Sequence, residues 1–318
     1  ENNEENNKDF NSIKSFNYNF LESKIYAIVG KKNSGSLVLL DMLGAKTKAD
    51  SGTIYLDGKI LSKDVNLTEK LCYFANDFKF NPLIQIKTIF SRMNKKFPKW
   101  DNFYAYELIN YFKIKPTTPY NKLQNSEKKL LTCIISLASL ANITIFDDTI
   151  NQTDIKDRYD FFNFVYSHHQ RYPRTIIICN DYIDEIDYMF DKILFIDKGK
   201  LIENFTQEEL KNNFRYLSGK AEVLKSLISG IKVIGVEQRG NNLTVCVHKK
   251  LTKDEIRKIA SDNNLINANK YKKVSLKEGL DYIRNNEGEK LFSVGLEEDE
   301  YIFKYPEIET DKKTEKAV

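Results

Sequence analysis

Residues 30–37 read GKKNSGSL, and their two glycines stand at the spacing of a phosphate-binding loop. Such a loop reads Gly, four residues, Gly, Lys and then Ser or Thr. Its backbone N–H groups surround the phosphate oxygens, its Lys reaches the β- and γ-phosphates, and its hydroxyl binds Mg²⁺. Gly30 and Gly35 can shape this cradle, but Ser36 stands at the lysine position and Leu37 at the hydroxyl position. Ser36 brings no positive charge and an alkyl group cannot ligate Mg²⁺, so the pattern indicates a loop that has lost its chemistry.

The four residues between the glycines include two lysines, either of which could place a positive charge beside the phosphates. The four residues are Lys31, Lys32, Asn33 and Ser34. Either lysine could supply the charge that Ser36 lacks. The alternative is that both lysines are solvated side chains of a surface loop.

An acid pair is the second candidate for chemistry. Asp147 and Asp148 directly follow the apolar run ITIF at 143–146. Carboxylate oxygens are ligands that Mg²⁺ accepts in proteins. The pair predicts a metal position at the end of a strand, either within the phosphate site or as an unrelated metal site.

The elements around these residues predict an α/β domain. Residues 24–29 form an apolar run that enters Gly30, and residues 37–43 read as a helix, which is the strand–loop–helix context of a phosphate loop. Further short apolar runs resemble strands of a parallel sheet that is buried on both faces. These runs are 143–146, 175–179 and 193–196, separated by helical segments at 155–170 and 182–190. The pattern from 24 to 202 therefore predicts a central sheet covered by helices.

Other stretches predict additional structure. Residues 53–56, TIYL, read as a strand, and Asp57-Gly58 reads as a hairpin turn. A helical stretch at 84–113 is interrupted by Pro98, and a helix at 126–140 has Ser126 as a candidate N-cap. After about residue 215 the pattern changes to that of a small α+β domain. It predicts a hairpin at 233–248 and helices at 251–264 and 274–285.

Composition excludes several classes of protein. The 318 residues are 41% hydrophobic and 30% charged, which suffices for one large domain and a smaller one. The net charge of +4 is small and does not favour a nucleic-acid binder. No apolar run is long enough for a membrane span, and the polar start ENNEENNKDF does not resemble a signal peptide.

The cysteines and histidines do not predict a metal centre. The four cysteines, Cys72, Cys133, Cys179 and Cys246, form no CxxC pair and are expected to be buried free thiols in a reducing compartment. The adjacent His168 and His169 lie near a predicted helix end and are expected to be surface or capping residues.

Three longer motifs carry a family resemblance. They are SGTIYLDGK (51–59), FPKWDNFYAYELINYF (97–112) and DKILFIDKGKLI (191–202). In this order, over roughly 15–205, the chain resembles the ATP-binding subunit of an ABC transporter of a bacterial exporter branch. The resemblance implies a P-loop NTPase-like core, a RecA-like parallel sheet with a helical subdomain at about 82–140. It also implies a division into four segments: 1–14 (polar start), 15–213 (ABC ATPase-like domain), 214–288 (small α+β domain) and 289–318 (charged tail).

The resemblance assigns roles around the metal and the γ-phosphate. Asp147 takes the metal-linked position of the Walker B strand, and Asp148 replaces the glutamate that orients the attacking water. Because Asp is shorter, its carboxylate would stand back, and such misplacement costs about 10²-fold in rate. Asn76 takes the place of the Q-loop glutamine as a weak metal ligand. Asp181 takes the place of the switch histidine, where an acid would repel phosphate.

The signature motif is altered as well. The family reads LSGG or LSKG where residues 123–127 read LQNSE, so Gln124 replaces the serine and Ser126 the key glycine, with Asn125 between them. In the family this helix N-terminus binds the γ-phosphate that the partner subunit holds. The alternative is a simple loop with an N-cap.

These substitutions lead to one functional hypothesis and two alternatives. The hypothesis is a pseudo-ATPase subunit of an ABC exporter that binds ATP and Mg²⁺ weakly or not at all. It would dock on a polytopic membrane subunit through residues 84–120 and pair with a second ABC ATPase subunit, identical or different. It would be cytoplasmic and peripheral on the inner face of the cell membrane, and it would not bind nucleic acid. The alternatives are a slow ATPase that uses Lys31 or Lys32 with Asp148, and a regulatory or scaffold protein outside transport.

Overall fold

The computed structural model describes most of the chain as two compact units. The described residues are 12–30, 33–61, 70–75, 77–147, 153–179, 186–209, 214–221, 224, 233–248, 272 and 273. Those up to 209 belong to the first unit, and those from 214 onward belong to the second. The predicted bounds of the four segments stay a prediction.

A six-stranded sheet forms the centre of the first unit. Its order is β4-β5-β6-β1-β7-β8. All neighbouring pairs are parallel except β7 and β8. The strands are β1 (Ile25–Gly30), β4 (Leu71–Tyr73), β5 (Ile143–Phe146), β6 (Thr175–Cys179), β7 (Lys192–Asp197) and β8 (Lys200–Thr206). This mostly parallel sheet confirms the predicted α/β class.

The position of β1 explains why the phosphate-type loop lies where it does. All six residues of β1 are buried, because the strand has parallel neighbours on both sides and helices over the sheet. Helix α1 (Ser36–Leu43) follows the loop and packs Leu39 and Leu40 against Tyr26 and Ile28. The carboxyl ends of β1 and β5 share one edge of the sheet, where α/β proteins bind ligands.

Three helices occupy the chain between β4 and β5. They are α2 (Ile86–Lys96), α3 (Asn102–Tyr111) and α4 (Asn125–Ala138). The predicted helical stretch at 84–113 is therefore two helices, divided at Phe97. The second begins because the Asp101 side chain accepts a hydrogen bond from the Tyr104 amide at 2.9 Å. The predicted N-cap of α4, Ser126, is wrong by two residues. The N-cap is Gln124, directly before the first helical residue, Asn125.

The histidine pair contradicts the expectation of surface positions. Both histidines lie near the end of α5 (Ile155–Arg171), and both are buried. The His168 ring stacks on Tyr104 of α3, with centroids 4.2 Å apart. Burial, followed by the nearby Arg174 charge, lowers the pKa of His168 to about 3, so the ring is neutral at physiological pH. Arg174 in turn donates to the carbonyl of Leu137 in α4 at 3.0 Å. Because Arg174 directly precedes β6, this bond links α4 to the sheet.

Short elements complete the described part of the first unit. The predicted strand at 53–56 is reduced to β2 (Tyr55–Leu56), which pairs with β3 (Lys59–Ile60). The predicted turn between them is confirmed: Asp57 and Gly58 have φ of 50° and 73°, as a two-residue hairpin turn requires. Cys72, Cys133 and Cys179 are buried free thiols, as expected, while the Cys246 side chain lies outside the described residues.

The second unit contains an antiparallel sheet of order β10-β11-β9-β12. The strands are β9 (Phe214–Lys220), β10 (Val233–Arg239), β11 (Asn242–His248) and β12 (Lys272–Lys273). Leu243, Val245 and Val247 alternate along β11 and are buried, which gives this sheet an apolar face. The predicted hairpin at 233–248 is confirmed, whereas the helices predicted at 251–264 and 274–285 and the charged tail at 289–318 lie outside the described residues.

Candidate nucleotide-binding site

The described part of the loop after β1 contains two residues with a left-handed backbone. Gly35 is the N-cap of α1 with φ of 96°, and Asn33 also has a positive φ, 66°. A Cβ at Gly30 would lie 2.7 Å from the carbonyl oxygen of Ile196, and one at Gly35 would lie 2.7 Å from that of Ser12. Neighbouring backbone therefore requires both glycines, whether or not phosphate binds.

Side chains of the loop satisfy part of its own hydrogen bonding. Ser34 and Ser36 are both buried. The Ser36 amide, the first of α1, donates to Ser34 Oγ at 3.4 Å, and the two hydroxyl oxygens are 3.2 Å apart. A helix N-terminus attracts anions through such amides. Here a neutral hydroxyl already faces one of them. Lys31 and Lys32 lie outside the described residues, so the route to a cation through them stays a prediction.

Leu37 and Asp147 line one open cleft of about 490 Å³. Leu37 is 42% exposed, while Asp147 is 2% exposed at the end of β5. The fold thus brings the hydroxyl position of the loop to the Walker-type acid, as in a metal–phosphate site. The other lining residues are Asp41, Lys46, Tyr73, Ala75, Asp77 and Lys79.

Lys46, Asp41 and Asp77 of the cleft form ion pairs with one another. Lys46 Nζ lies 2.9 Å from Asp77 Oδ1 and 3.5 Å from Asp41 Oδ2. The Tyr73 hydroxyl donates to Asp41 Oδ1 at 2.7 Å. Burial, and then this bond, raise the pKa of Tyr73 well above its ordinary value. The hydrogen bond from Lys46 lowers the pKa of Asp77. Three of the five charged side chains of the cleft are therefore paired with one another without a ligand.

Two described positions of the loop lack the groups that usually hold Mg²⁺·ATP. Asp147 supplies a carboxylate, but Leu37 presents carbon where the metal needs oxygen. Ser36 provides no cation for the phosphates, and its hydroxyl is directed to Ser34. Within the described residues, no three His, Cys, Asp or Glu side chains are grouped to hold a metal ion.

The signature position is the N-terminus of α4. The Gln124 amide donates to Glu127 Oε2 at 2.7 Å, as one arm of a capping box. A carboxylate therefore stands at the positive end of the helix dipole, where the family would place a phosphate of the partner subunit. Gln124, Asn125 and Ser126 all lie at this helix start. The remaining predicted site residues, Asn76, Asp148 and Asp181, lie outside the described residues.

Sequence reasoning missed the ion and hydrogen-bond network of the cleft. Asp41 follows Leu37 by four residues, so it lies one turn further on the same face of α1, a spacing that the sequence does display. Tyr73 ends β4, and Asp77 adjoins the predicted Q-loop position. Their pairing with Lys46 depends on the turn after α1, for which the sequence gives no signal.

Several known proteins are similar to this chain in sequence. No protein-family model matches the chain. The chain is 24% identical over 202 residues to the ABC transporter ATP-binding protein YtrB of Bacillus subtilis, covering 64% of this chain and 69% of YtrB. It is 24% identical over 216 residues to the energy-coupling factor transporter ATP-binding protein EcfA1 of Oenococcus oeni, covering 65% and 77%.

Solved structures show the same fold. An ATP-binding subunit of an ABC transporter matches with a TM-score of 0.56 at 9% identity, over 63% of this chain and 85% of that one. A dimeric post-hydrolysis state of the ATP-binding cassette MJ0796, bound to ADP and Pi, matches with a TM-score of 0.53 at 16% identity, over 61% and 90%. Over its first unit the chain is similar to ATP-binding subunits of ABC transporters, and it has the fold of their ATP-binding cassettes.

Some relatives of this chain are much longer. The aligned part spans 12% of ABC transporter A family member 5 of Dictyostelium discoideum, at 26% identity over 212 residues and 64% of this chain. Among the described residues, no helix is long and apolar enough to cross a membrane.

Proposed function

We propose that this protein is a pseudo-ATPase subunit of an ABC transporter. The observation that carries the proposal is the cleft at the loop after β1. Its hydroxyl position is an exposed leucine, its lysine position is a buried serine, and Lys46, Asp41 and Asp77 pair with each other. We infer from these groups that the subunit serves through its shape and contacts.

Pairing with a second ATPase subunit has a consequence for nucleotide. In a head-to-tail dimer each ATP lies between the loop of one subunit and the signature helix of the other. One composite site would contain Ser36 and Leu37, and the other would face the α4 N-terminus that Glu127 caps. We propose that both sites are impaired and that only the second, with an intact partner loop, retains ATP.

An aromatic cluster beside the cleft supports docking on a membrane subunit. Phe78 contacts Phe74 and Phe80 at centroid distances of 4.8 and 4.9 Å, and Phe80 contacts Tyr120 at 5.5 Å. Phe78 is partly exposed, and the nearby Leu83 in sequence is 77% exposed. Exposed apolar groups together mark protein interaction sites. We propose that this cluster contacts the membrane subunit at the cytoplasmic face of the cell membrane.

Calorimetry tests the nucleotide part of the proposal. The purified chain is titrated with ATP in the presence of Mg²⁺, and phosphate release is measured in parallel. We expect no binding below about millimolar ATP, which corresponds to about −4 kcal/mol, and no turnover. Micromolar binding with turnover by the chain alone would favour the slow ATPase. In that case, loss of turnover in Lys31→Ala/Lys32→Ala would identify the loop lysines as its cations.

Co-purification tests the partner. We expect the chain to be recovered from detergent-solubilised membranes with a polytopic membrane protein and a second ATPase subunit. Phe78→Asp/Leu83→Asp should reduce this recovery. Tyr55→Asp/Ile60→Asp is the matched control, since both side chains are equally exposed apolar groups on the β2–β3 hairpin. Recovery of the unaltered chain without any membrane protein would favour the scaffold alternative.

A further inference from the structure

Positive charge is concentrated in one part of the chain. Residues 82–140 contain ten Lys and Arg against three Asp and Glu. This segment therefore carries a net charge of +7, whereas the whole chain carries only +4. The remainder is net negative by three. The small overall charge thus conceals a basic segment, which the expectation drawn from composition did not take into account.

Helix α2 presents much of this charge on one face. Seven of its eleven residues are exposed, and all seven are polar: Lys87, Thr88, Ser91, Arg92, Asn94, Lys95 and Lys96. Four are cations and none is an acid. The opposite face, with Ile86, Ile89 and Phe90, is buried against the protein. The helix is about 16 Å long, so the four cations lie along one fixed, straight surface.

Described acidic residues do not neutralise this face. The ion pairs that the structure shows involve Lys24, Lys46 and Lys70, and none joins a cation of the α2 face to a described acid. Lys96 is the exception to full solvation, because its Nζ lies 5.0 Å from the Phe97 ring centroid. The four cations of the α2 face can therefore bind an external anion.

We propose that the exposed face of α2 binds anionic phospholipid headgroups at a membrane surface. Clusters of four to eight Lys and Arg on one helix face are attracted to anionic leaflets, and each cation contributes about fivefold in affinity. The face exposes no aromatic side chain on which nucleic-acid bases could stack, which favours lipid over single-stranded nucleic acid. This lipid contact rests on the proposed function in one respect, since that function brings the α2 face to a membrane. The contact itself does not involve the membrane subunit.

Vesicle flotation tests the proposal with the full chain and no other protein. One set of vesicles contains phosphatidylcholine alone, and the other contains phosphatidylcholine with about one third phosphatidylglycerol. We expect binding only to the second set, weakening as salt rises from 50 to 300 mM because the charges are screened. Lys87→Gln/Arg92→Gln/Lys95→Gln/Lys96→Gln should bind at least about tenfold more weakly.

A matched variant separates this face from net charge. Lys48→Gln/Lys59→Gln/Lys156→Gln/Lys200→Gln removes the same four charges from exposed positions elsewhere. It should retain binding within about twofold of the unaltered chain. Equal weakening in both variants would overturn the proposal. So would binding of the unaltered chain to a 20-base-pair DNA duplex, but not to anionic vesicles, with the same loss in the α2 variant.

The result is distinguishable from failure of the proposed function. Protein-free vesicles contain no membrane subunit, and the assay contains no nucleotide. If co-purification finds no membrane protein while anionic vesicles still bind α2, the lipid contact stands and the transporter assignment fails. If the chain co-purifies with a membrane subunit and ignores anionic vesicles, the lipid contact is wrong.

Discussion

Two helix N-termini of this protein would face phosphate in an active relative, and they have changed in different ways. At α1 the Gly35 backbone is left-handed, with a φ of 96°, and Ser36 and Leu37 follow it. At α4 the helix start is closed by its own side chains, because Glu127 accepts from the Gln124 amide. The first N-terminus has a serine and a leucine where a phosphate loop has its cation and its metal ligand, while the second has a carboxylate.

The difference indicates what holds each region in shape. The loop before α1 is confined by neighbours, since Gly199 donates its amide to the Ser34 carbonyl at 2.7 Å, and Lys14 donates to that of Gly199 at 2.9 Å. These contacts keep its form without phosphate. The α4 N-terminus instead stabilises itself through a local capping box. The loop should therefore be restorable by side-chain replacement, whereas the signature position should resist it.

The largest expected effect is on stability at Gly35. Gly35→Ala places a Cβ 2.7 Å from the Ser12 carbonyl oxygen in a left-handed backbone, so it should lower the free energy of unfolding by about 2–4 kcal/mol. Gly52→Ala is the control, because Gly52 has a φ of 83° with nothing within 4 Å of the added Cβ. It should cost about 1 kcal/mol. Urea denaturation measures both, and equal costs would show that contact with residue 12 is not what requires the glycine.

A slightly smaller effect is expected from restoring the loop. Ser36→Lys/Leu37→Ser supplies the cation and the metal-binding hydroxyl on a backbone that already has the required shape. Charge-assisted bonds are worth about 1.5–3 kcal/mol each, so ATP affinity with Mg²⁺ should rise about 10- to 100-fold or more. Isothermal titration calorimetry measures the change. Turnover is not expected to follow, since Asp148 and Asp181 still stand at the catalytic positions.

The matched control for restoration uses the other N-terminus. Gln124→Ser/Ser126→Gly rebuilds the family signature on α4 and leaves Glu127 in place. It should not change nucleotide binding by the isolated chain, because α4 would act only on nucleotide held by a partner. If the α1 double variant binds ATP no better than this one, the loop backbone is not preserved for phosphate, and the proposed history of the site is wrong.

A moderate effect is expected at Glu127. Glu127→Ala removes the bond to the Gln124 amide and should reduce the free energy of unfolding by about 1 kcal/mol. Glu127→Gln can keep the bond and should cost less. Glu107→Ala on the exposed face of α3 controls for loss of one acid and should be near neutral. If Glu107→Ala lowers the free energy of unfolding as much as Glu127→Ala does, the loss of negative charge, and not the loss of the cap, explains the effect.

The sequence predicted the sheet because its signals are local and strong. The runs at 143–146 and 175–179 are continuous apolar segments, and the structure places β5 and β6 at these residues. The helix at the loop and the hairpin turn at Asp57-Gly58 were also predictable, since glycine and turn chemistry limit the alternatives. These features depend on neighbours in the chain.

The parts that sequence reasoning missed depend on distant residues. His168 is buried because Tyr104, in another helix, stacks on it and Arg174 lies beside it. The network of Lys46, Asp41 and Asp77 joins the end of α1 to a segment 31 residues further on. The start of α4 was placed two residues late because Ser126 is the stronger N-cap by type, while Gln124 gains its position from Glu127. No periodicity or single motif contains this information.

The smallest expected effect is at the ion pair that bridges the cleft. The hydrogen bond to Lys46 lowers the pKa of Asp77, so its contribution to stability is present above the ordinary carboxylate pKa and is lost as pH falls through the lowered value. The same pair raises the pKa of Lys46, so that contribution persists until pH rises through the raised value. Asp77 is fully exposed, and Asp77→Asn should therefore shift the urea midpoint only slightly at pH 7 and not at all near pH 2. Asp50→Asn, at an exposed position outside the cleft, should show no such pH-dependent difference. If Asp77→Asn instead changes stability as strongly as Gly35→Ala, the cleft is held by its charges, and the contrast between a backbone-confined α1 and a self-capped α4 does not describe this protein.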